Sequence, residues 1–345
     1  MLKSVVLSPS LGAICATNKH PLSHVSVEAR PGPLPLPKLD TNGCTIAVFH
    51  PIQCTSGPTT SHVPILSFDV FPTSPEAGAL VGLPLGLVLD ACSILAGNKR
   101  GELQSYNSPH ERVAGDDVDM DRILSPGLYR FVVVLEGGGL DYSYTLCPGF
   151  FAWTPPVAVP DRWKGGEPAH APDLQAPASR RTGDRLLSED DVCVVTGASS
   201  GIRSTHLVPN SESRWVATHW PTLLSYGGNP HTDLNSVRNA LTLRMDLHPR
   251  DGLFVFAPYA NSVVTLFVEE TAGDLAYQYH LRVVDLPGQI RRGYLYICFA
   301  LNVFEHLSPG VGDVIELEYR CRHPEISAVG GPDSCIWEDS DDESV

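Results

Sequence analysis

The sequence predicts an α+β protein in two parts, and three observations carry that reading. Runs rich in β-branched and aromatic residues recur between Gly and Pro turns from Thr45 to Leu146. A proline-rich stretch with almost no periodic apolar residues follows, over residues 154–192. Beyond it, short strand-like runs give way to a helix-like apolar run from Ile290 to Leu307. A chain of 345 residues has room for two or three domains with ample core. Its 43% hydrophobic and 18% charged content is that of a globular protein, and 30 glycines and 30 prolines imply many turns.

Residues 1–42 are expected to be an extended or disordered segment, with Pro31, Pro33, Pro35 and Pro37 alternating with other residues. The run from Met1 to Ala16 is interrupted by Pro9 and serines, so no cleaved signal peptide is expected. Residues 43–153 form a β-rich domain of unknown role. Its strands are expected at Thr45–Phe49, Ile65–Phe71, Tyr129–Leu135 and Tyr142–Leu146, while Leu87–Ala96 reads equally as buried strand or helix. Asn98–Gly101 reads as a surface turn. His50 and His110 are isolated and read as surface or satisfied core residues. The apolar run Ala79–Leu89 contains Pro84 and is too short to span a bilayer, so no membrane association is expected.

Residues 154–192 are the expected linker, with six prolines between Pro155 and Pro177 and the pair Gly165-Gly166. Nine cysteines without any Cys-x-x-Cys pair, and no Asn-x-Ser/Thr site, favour a reducing compartment, intracellular and either cytoplasmic or nuclear.

The stretch from Cys193 to Gly252 carries the chemistry. Val194–Ile202 reads Val-Val-Thr-Gly-Ala-Ser-Ser-Gly-Ile, the opening of a dinucleotide-binding turn. That reading fails, because Pro209 and Asn210 break any following helix and no lysine lies beyond Lys164 to serve a Tyr-x-x-x-Lys pair. What remains is Cys193-x-x-Thr196-Gly197, then x-His206-x-x-Pro209, then Asn239 followed by Leu243-Arg-x-Asp-Leu-His248. In order and spacing these letters resemble the HNH endonuclease family, in a variant frequent in multi-domain fungal proteins of unknown role.

The resemblance covers residues 193 to about 307, and places a ββα-metal fold, extended by strands and a helix, in a domain spanning 193–325. It implies hydrolysis of nucleic-acid phosphodiesters with one divalent metal ion, whether Mg, Mn or Zn. His206 matches the general base, since imidazole titrates near neutrality and can take a proton from water. Asn239 matches the amide that aims that ring. His248 matches a catalytic metal ligand, and Asp251 reads as a second ligand. Asp246 is expected to cap a short helix beginning at His248. Two departures stand out: Thr205 occupies the place where metal-competent members often carry Asp or His, and Pro249-Arg-Asp-Gly252 interrupts the helix after His248. His219 and His231 are the substitutes for the missing ligand.

Residues 210–233 read as a long loop. Its Trp215, Trp220 and Tyr226 either stack on bases or cover the edge of a small core. Strands are expected at Leu253–Phe256, Val263–Val268 and Tyr277–Val284. Arg203, Arg214 and Arg244 near the motif, and Arg291-Arg292 further on, are the phosphate-contact candidates.

Charge argues against tight nucleic-acid binding. The chain is −15 overall, its last 38 residues hold ten acidic and two basic side chains, and residues 193–307 are nearly neutral. Residues 326–345 are expected to be a disordered acidic tail, which would occupy the site if it mimics nucleic acid, and in which Ser340 is a phosphorylation candidate. The rival to a nuclease is a catalytically inactive HNH-like interaction module, with a protein partner bound through the N-terminal domain.

Overall fold

A computed structural model describes residues 45–51, 63–72, 81–108, 111–114, 118–164, 192–224, 226, 234–248 and 252–322. Among them the chain is a mixture of helices and sheets, as expected. The strands of the N-terminal half are β1 (Thr45–Phe49), β2 (Pro64–Asp69), β3 (Leu83–Pro84), β4 (Gly101–Ser105), β5 (Arg112–Ala114), β6 (Ile123–Leu124), β7 (Gly127–Val134) and β8 (Leu140–Asp141). Six of them form one sheet in the order β2-β1-β7-β4-β5, with β8 extending β7. The β1–β7 pair is parallel, with Ile46 opposite Gly127, and the other pairs are antiparallel.

The ambiguous run near Leu87 is helix α1 (Leu85–Leu95), and its side chains from Leu87 to Leu95 are buried except Asp90 and Ser93. Tyr142–Leu146, expected as a strand, is irregular. Tyr144 is buried there by a local fold-back: its hydroxyl donates to the Phe131 carbonyl at 3.2 Å, and its own carbonyl faces His50 Nε2 at 2.8 Å. His50 is therefore a core histidine, and its Nδ1 lies 3.4 Å from Glu318. His110 lies outside the described residues.

The part of the expected linker that is described is packed rather than extended. Helix α2 (Asp161–Lys164) buries Trp163, whose ring stacks on Phe299 with centroids 5.1 Å apart. The Trp163 indole donates to Asp90 Oδ2 at 2.7 Å, and Arg162 donates to the same oxygen at 3.2 Å and to the Pro258 carbonyl at 2.9 Å. A Cβ on Gly86 would lie 1.9 Å from Arg162 Nη1, so only glycine lets the guanidinium cross α1 there. The composition of the segment hid two anchors, an aromatic ring and an arginine, whose partners lie far away in sequence. Residues 165–191 are outside the described set.

The C-terminal half contains β9 (Ile202–His206), α3 (Ser213–Leu224), β10 (Ala240–Arg244), β11 (Phe254–Tyr259), β12 (Ser262–Phe267), α4 (Gly273–Tyr279), β13 (Arg282–Val283), α5 (Arg292–Asn302) and α6 (Val311–Arg322). Strands β9 and β10 form a hairpin-like pair, and β11-β12-β13 a second sheet. Two expectations fail here. The long loop after Pro209 is largely helix, a 3-10 turn at Asn210–Glu212 leading into α3, because Trp215, Val216 and Leu223 give it an apolar face. Residues 225 and 227–233 of that loop, His231 included, are outside the described set. Tyr277–Val284 is not a strand: α4 occupies its start, packed through the small residue Ala276, and only Arg282–Val283 pairs. The run to Leu307 is helical as expected, α5 continuing into a π-turn at Val303–Leu307.

One hydrophobic core runs from Ile46 to Val314. Trp215 sits in it, parallel to Trp153 at 5.7 Å and donating to the Trp153 carbonyl at 3.1 Å. This ring covers core and does not stack on bases. Asp69 at the end of β2 receives the Glu270 amide, and its own amide donates to Val268. Among the described residues no helix is long and apolar enough to cross a membrane.

Candidate active site

The Cys193-x-x-Thr-Gly stretch is a self-bonded turn. Cys193 Sγ accepts the Thr196 amide at 3.4 Å, Thr196 Oγ1 accepts the Ala198 amide at 3.2 Å, and Gly197 takes a φ of 75° that closes the turn onto the Cys193 carbonyl. Val194 donates to the Thr242 carbonyl at 3.0 Å, which fastens the turn to β10. The five letters thus build a support for the strand pair and place no reactive group.

On that support β9 and β10 pair antiparallel, with His206 opposite Ala240 and Ile202 opposite Arg244. Asn239, fully buried, ends the approach to β10. Its Oδ1 accepts the Val208 amide at 2.9 Å, and its Nδ2 donates to the carbonyls of Val208 at 2.7 Å and Leu234 at 2.9 Å. The Asn239 carbonyl in turn accepts the Leu207 amide at 2.8 Å. Asn239 therefore clasps the backbone that leaves His206. These three side-chain bonds all go to main chain, at Val208 and Leu234, and none reaches the His206 ring.

His206 is half-buried, and its Nε2 is enclosed without a hydrogen-bond partner. Burial holds its pKa below the ordinary 6.5, since a desolvated ring resists charge. Thr205 alternates to the opposite face and is buried with its hydroxyl also unpartnered. The chain passes the far end of β10 and turns through Met245, whose amide donates to Gly201, before reaching the half-buried His248. Residues 245–248 are a turn followed by irregular chain, so the helix expected at His248 does not start within them, and Asp246 is not its cap. Asp246 instead grips Arg244, with Oδ1 2.6 Å from Nε and Oδ2 2.8 Å from Nη2.

Residues 193–257 match the family model described as HNH endonuclease. Over this segment the chain is similar to HNH endonucleases. No curated protein and no solved structure matches the chain.

HNH domains point to nuclease-type function and to contact with nucleic acid, and they generally use a divalent metal ion. Among the described residues no three His, Cys, Asp or Glu side chains converge to hold a metal. Imidazole from His248 and carboxylate from Asp251 have the right donor chemistry for such an ion, but Asp251 lies outside the described residues. His219 is committed elsewhere, with Nδ1 3.0 Å from the Trp215 carbonyl and its ring 4.6 Å from that indole.

The arginines of this segment divide. Arg203 and Arg214 are exposed, whereas Arg244 already serves Asp246. Arg291 lies beyond the matched segment, but its amide donates to the Arg238 carbonyl at 3.2 Å, which places it beside Asn239. Sequence spacing gave no sign of that neighbour, because more than fifty residues and a whole sheet intervene.

Proposed function

We propose that this protein is a metal-dependent endonuclease in which His206 is the general base. The observation that carries the reading is the enclosed, unpartnered Nε2 of His206 within the HNH match. Its depressed pKa keeps the ring neutral at pH 7, which is the state able to accept a proton. Water attacks the phosphorus, its proton passes to His206, the P–O bond to the leaving oxygen breaks, and that oxygen is protonated from solvent. Asn239 keeps the strand that bears His206 in place during this transfer. His248 and Asp251 would hold the divalent ion, which supplies Lewis-acid stabilisation of the charge gathering on the phosphoryl oxygens.

The test is nicking of supercoiled plasmid by the full chain in Mg²⁺ or Mn²⁺, beside His206→Ala and an EDTA control. Loss of about 10²–10⁴-fold in rate is expected for the variant. Wild type that leaves the plasmid as intact as His206→Ala does would overturn the reading and leave a catalytically silent module. In the active case, the rate is expected to rise with pH through a midpoint below 6.5 and to stay flat above it, since only the deprotonated ring serves.

A further inference from the structure

We propose that Arg291, outside the segment matched to the family, is the phosphate-binding residue for the strand held at His206. This rests on the nuclease reading and names the group that seats its substrate.

The placement follows from two backbone hydrogen bonds. His206 is followed by Leu207, whose amide donates to Asn239; Asn239 is preceded by Arg238, whose carbonyl accepts the Arg291 amide. Arg291 therefore enters the same end of the β9–β10 pair as His206, from the segment that leads into α5.

The second observation is chemical. Arg291 is half-buried and its Nε is enclosed with no hydrogen-bond partner. A guanidinium stays charged at any working pH, and an enclosed N–H donor without an acceptor costs about 1–3 kcal/mol. The other arginine with an orphaned Nε, Arg130, has a different outlet, lying over the Tyr106 ring at 5.5 Å. No ring contact of that kind is described for Arg291.

Asn239 between them spends both amide ends on main chain. The backbone at this end of the pair thus joins two residues that each keep one unbonded side-chain nitrogen, His206 and Arg291. A phosphodiester complements that set: a non-bridging oxygen accepts from Arg291 while the attacking water lies toward His206. The charge-assisted contact needs no base identity, so it serves duplex and single strand alike.

The experiment measures binding of a fluorescein-labelled DNA duplex and an RNA hairpin to the full chain carrying His206→Ala, in EDTA, across a salt series. Arg291→Ala is expected to weaken binding about tenfold and to lower the salt slope by about one. Arg291→Lys should keep the slope and regain part of the affinity. Arg282→Ala, removing a charge that lies over Tyr279, is the control and should change neither.

Arg291→Ala or Arg291→Gln that melts like its parent and binds like the Arg282 control sinks the proposal, as does a parent that binds neither probe. Nicking that depends on His206, with binding indifferent to Arg291, removes this assignment and leaves the nuclease reading. Binding that depends on Arg291 without nicking does the reverse.

Discussion

Two polar clusters in this molecule are built from similar parts and finished differently. At the α1–α2 junction, Asp90, Arg162 and Trp163 bond to one another and to the Pro258 carbonyl. At the end of the β9–β10 pair, Asn239 is saturated, yet His206 Nε2 and the Nε of Arg291, whose backbone is bonded to Arg238, have no hydrogen-bond partner. Because an enclosed polar group costs free energy unless it is bonded, the first arrangement reads as a clamp and the second as a place prepared for something else. Residue type alone does not separate them; completion of the hydrogen bonds does.

The comparison is tested most severely at Asn239. Asn239→Ala strands the Val208 amide and two carbonyls, and at about 1–3 kcal/mol for each group left unbonded the loss should be about 3 kcal/mol or more. Urea denaturation measures it, and a midpoint unchanged from wild type would dismiss the clasp. His206→Ala, by contrast, should leave stability within about 1 kcal/mol, since its Nε2 makes no bond to lose.

The next effect depends on pH and is opposite in sign at two partly buried groups. Burial pushes the Asp90 carboxyl up to about 6, with Arg162 and the Trp163 indole pulling it back only in part. Its contribution is therefore full below the unfolded value of 3.8 and is lost as pH rises through about 6. Burial pushes His280 down to about 4, so its contribution is present above 6.5 and lost as pH falls through about 4. Asp90→Asn should leave a melting temperature that climbs with pH between 4 and 6, and His280→Gln one that falls over the same interval. Identical pH profiles for both variants would refute the pairing.

The smallest effect is expected at the exposed Arg244–Asp246 pair. Asp246→Asn should cost under about 1 kcal/mol, as surface ion pairs do. A large loss in thermal melting would show that the pair holds more than a surface contact.

Strands were legible where alternation or apolar runs are dense, as at Thr45–Phe49 and Val263–Val268. The helix α5 was legible because its apolar residues fill more than three turns. Helices α3 and α4 were not, since Pro221 and the small residue Ala276 dilute the periodic signal on which such readings depend. Helix α6 was hidden by charge: Glu318 lies on its buried side, and its partner His50 belongs to the opposite end of the sequence. At the site, the letters His206 and Asn239 were readable from family resemblance, but not that the amide would act on main chain. Nor could Arg238 and Arg291 be seen as neighbours, because a single backbone hydrogen bond across a long sequence interval joins them.

The flat pairing of Trp153 with Trp215, with Trp163 laid on Phe299 nearby, has a practical outcome for limited proteolysis. These rings lie on both sides of residues 165–191, so a protease cutting there would sever the polypeptide without releasing its pieces. The two fragments should co-elute under native conditions and part only in denaturant.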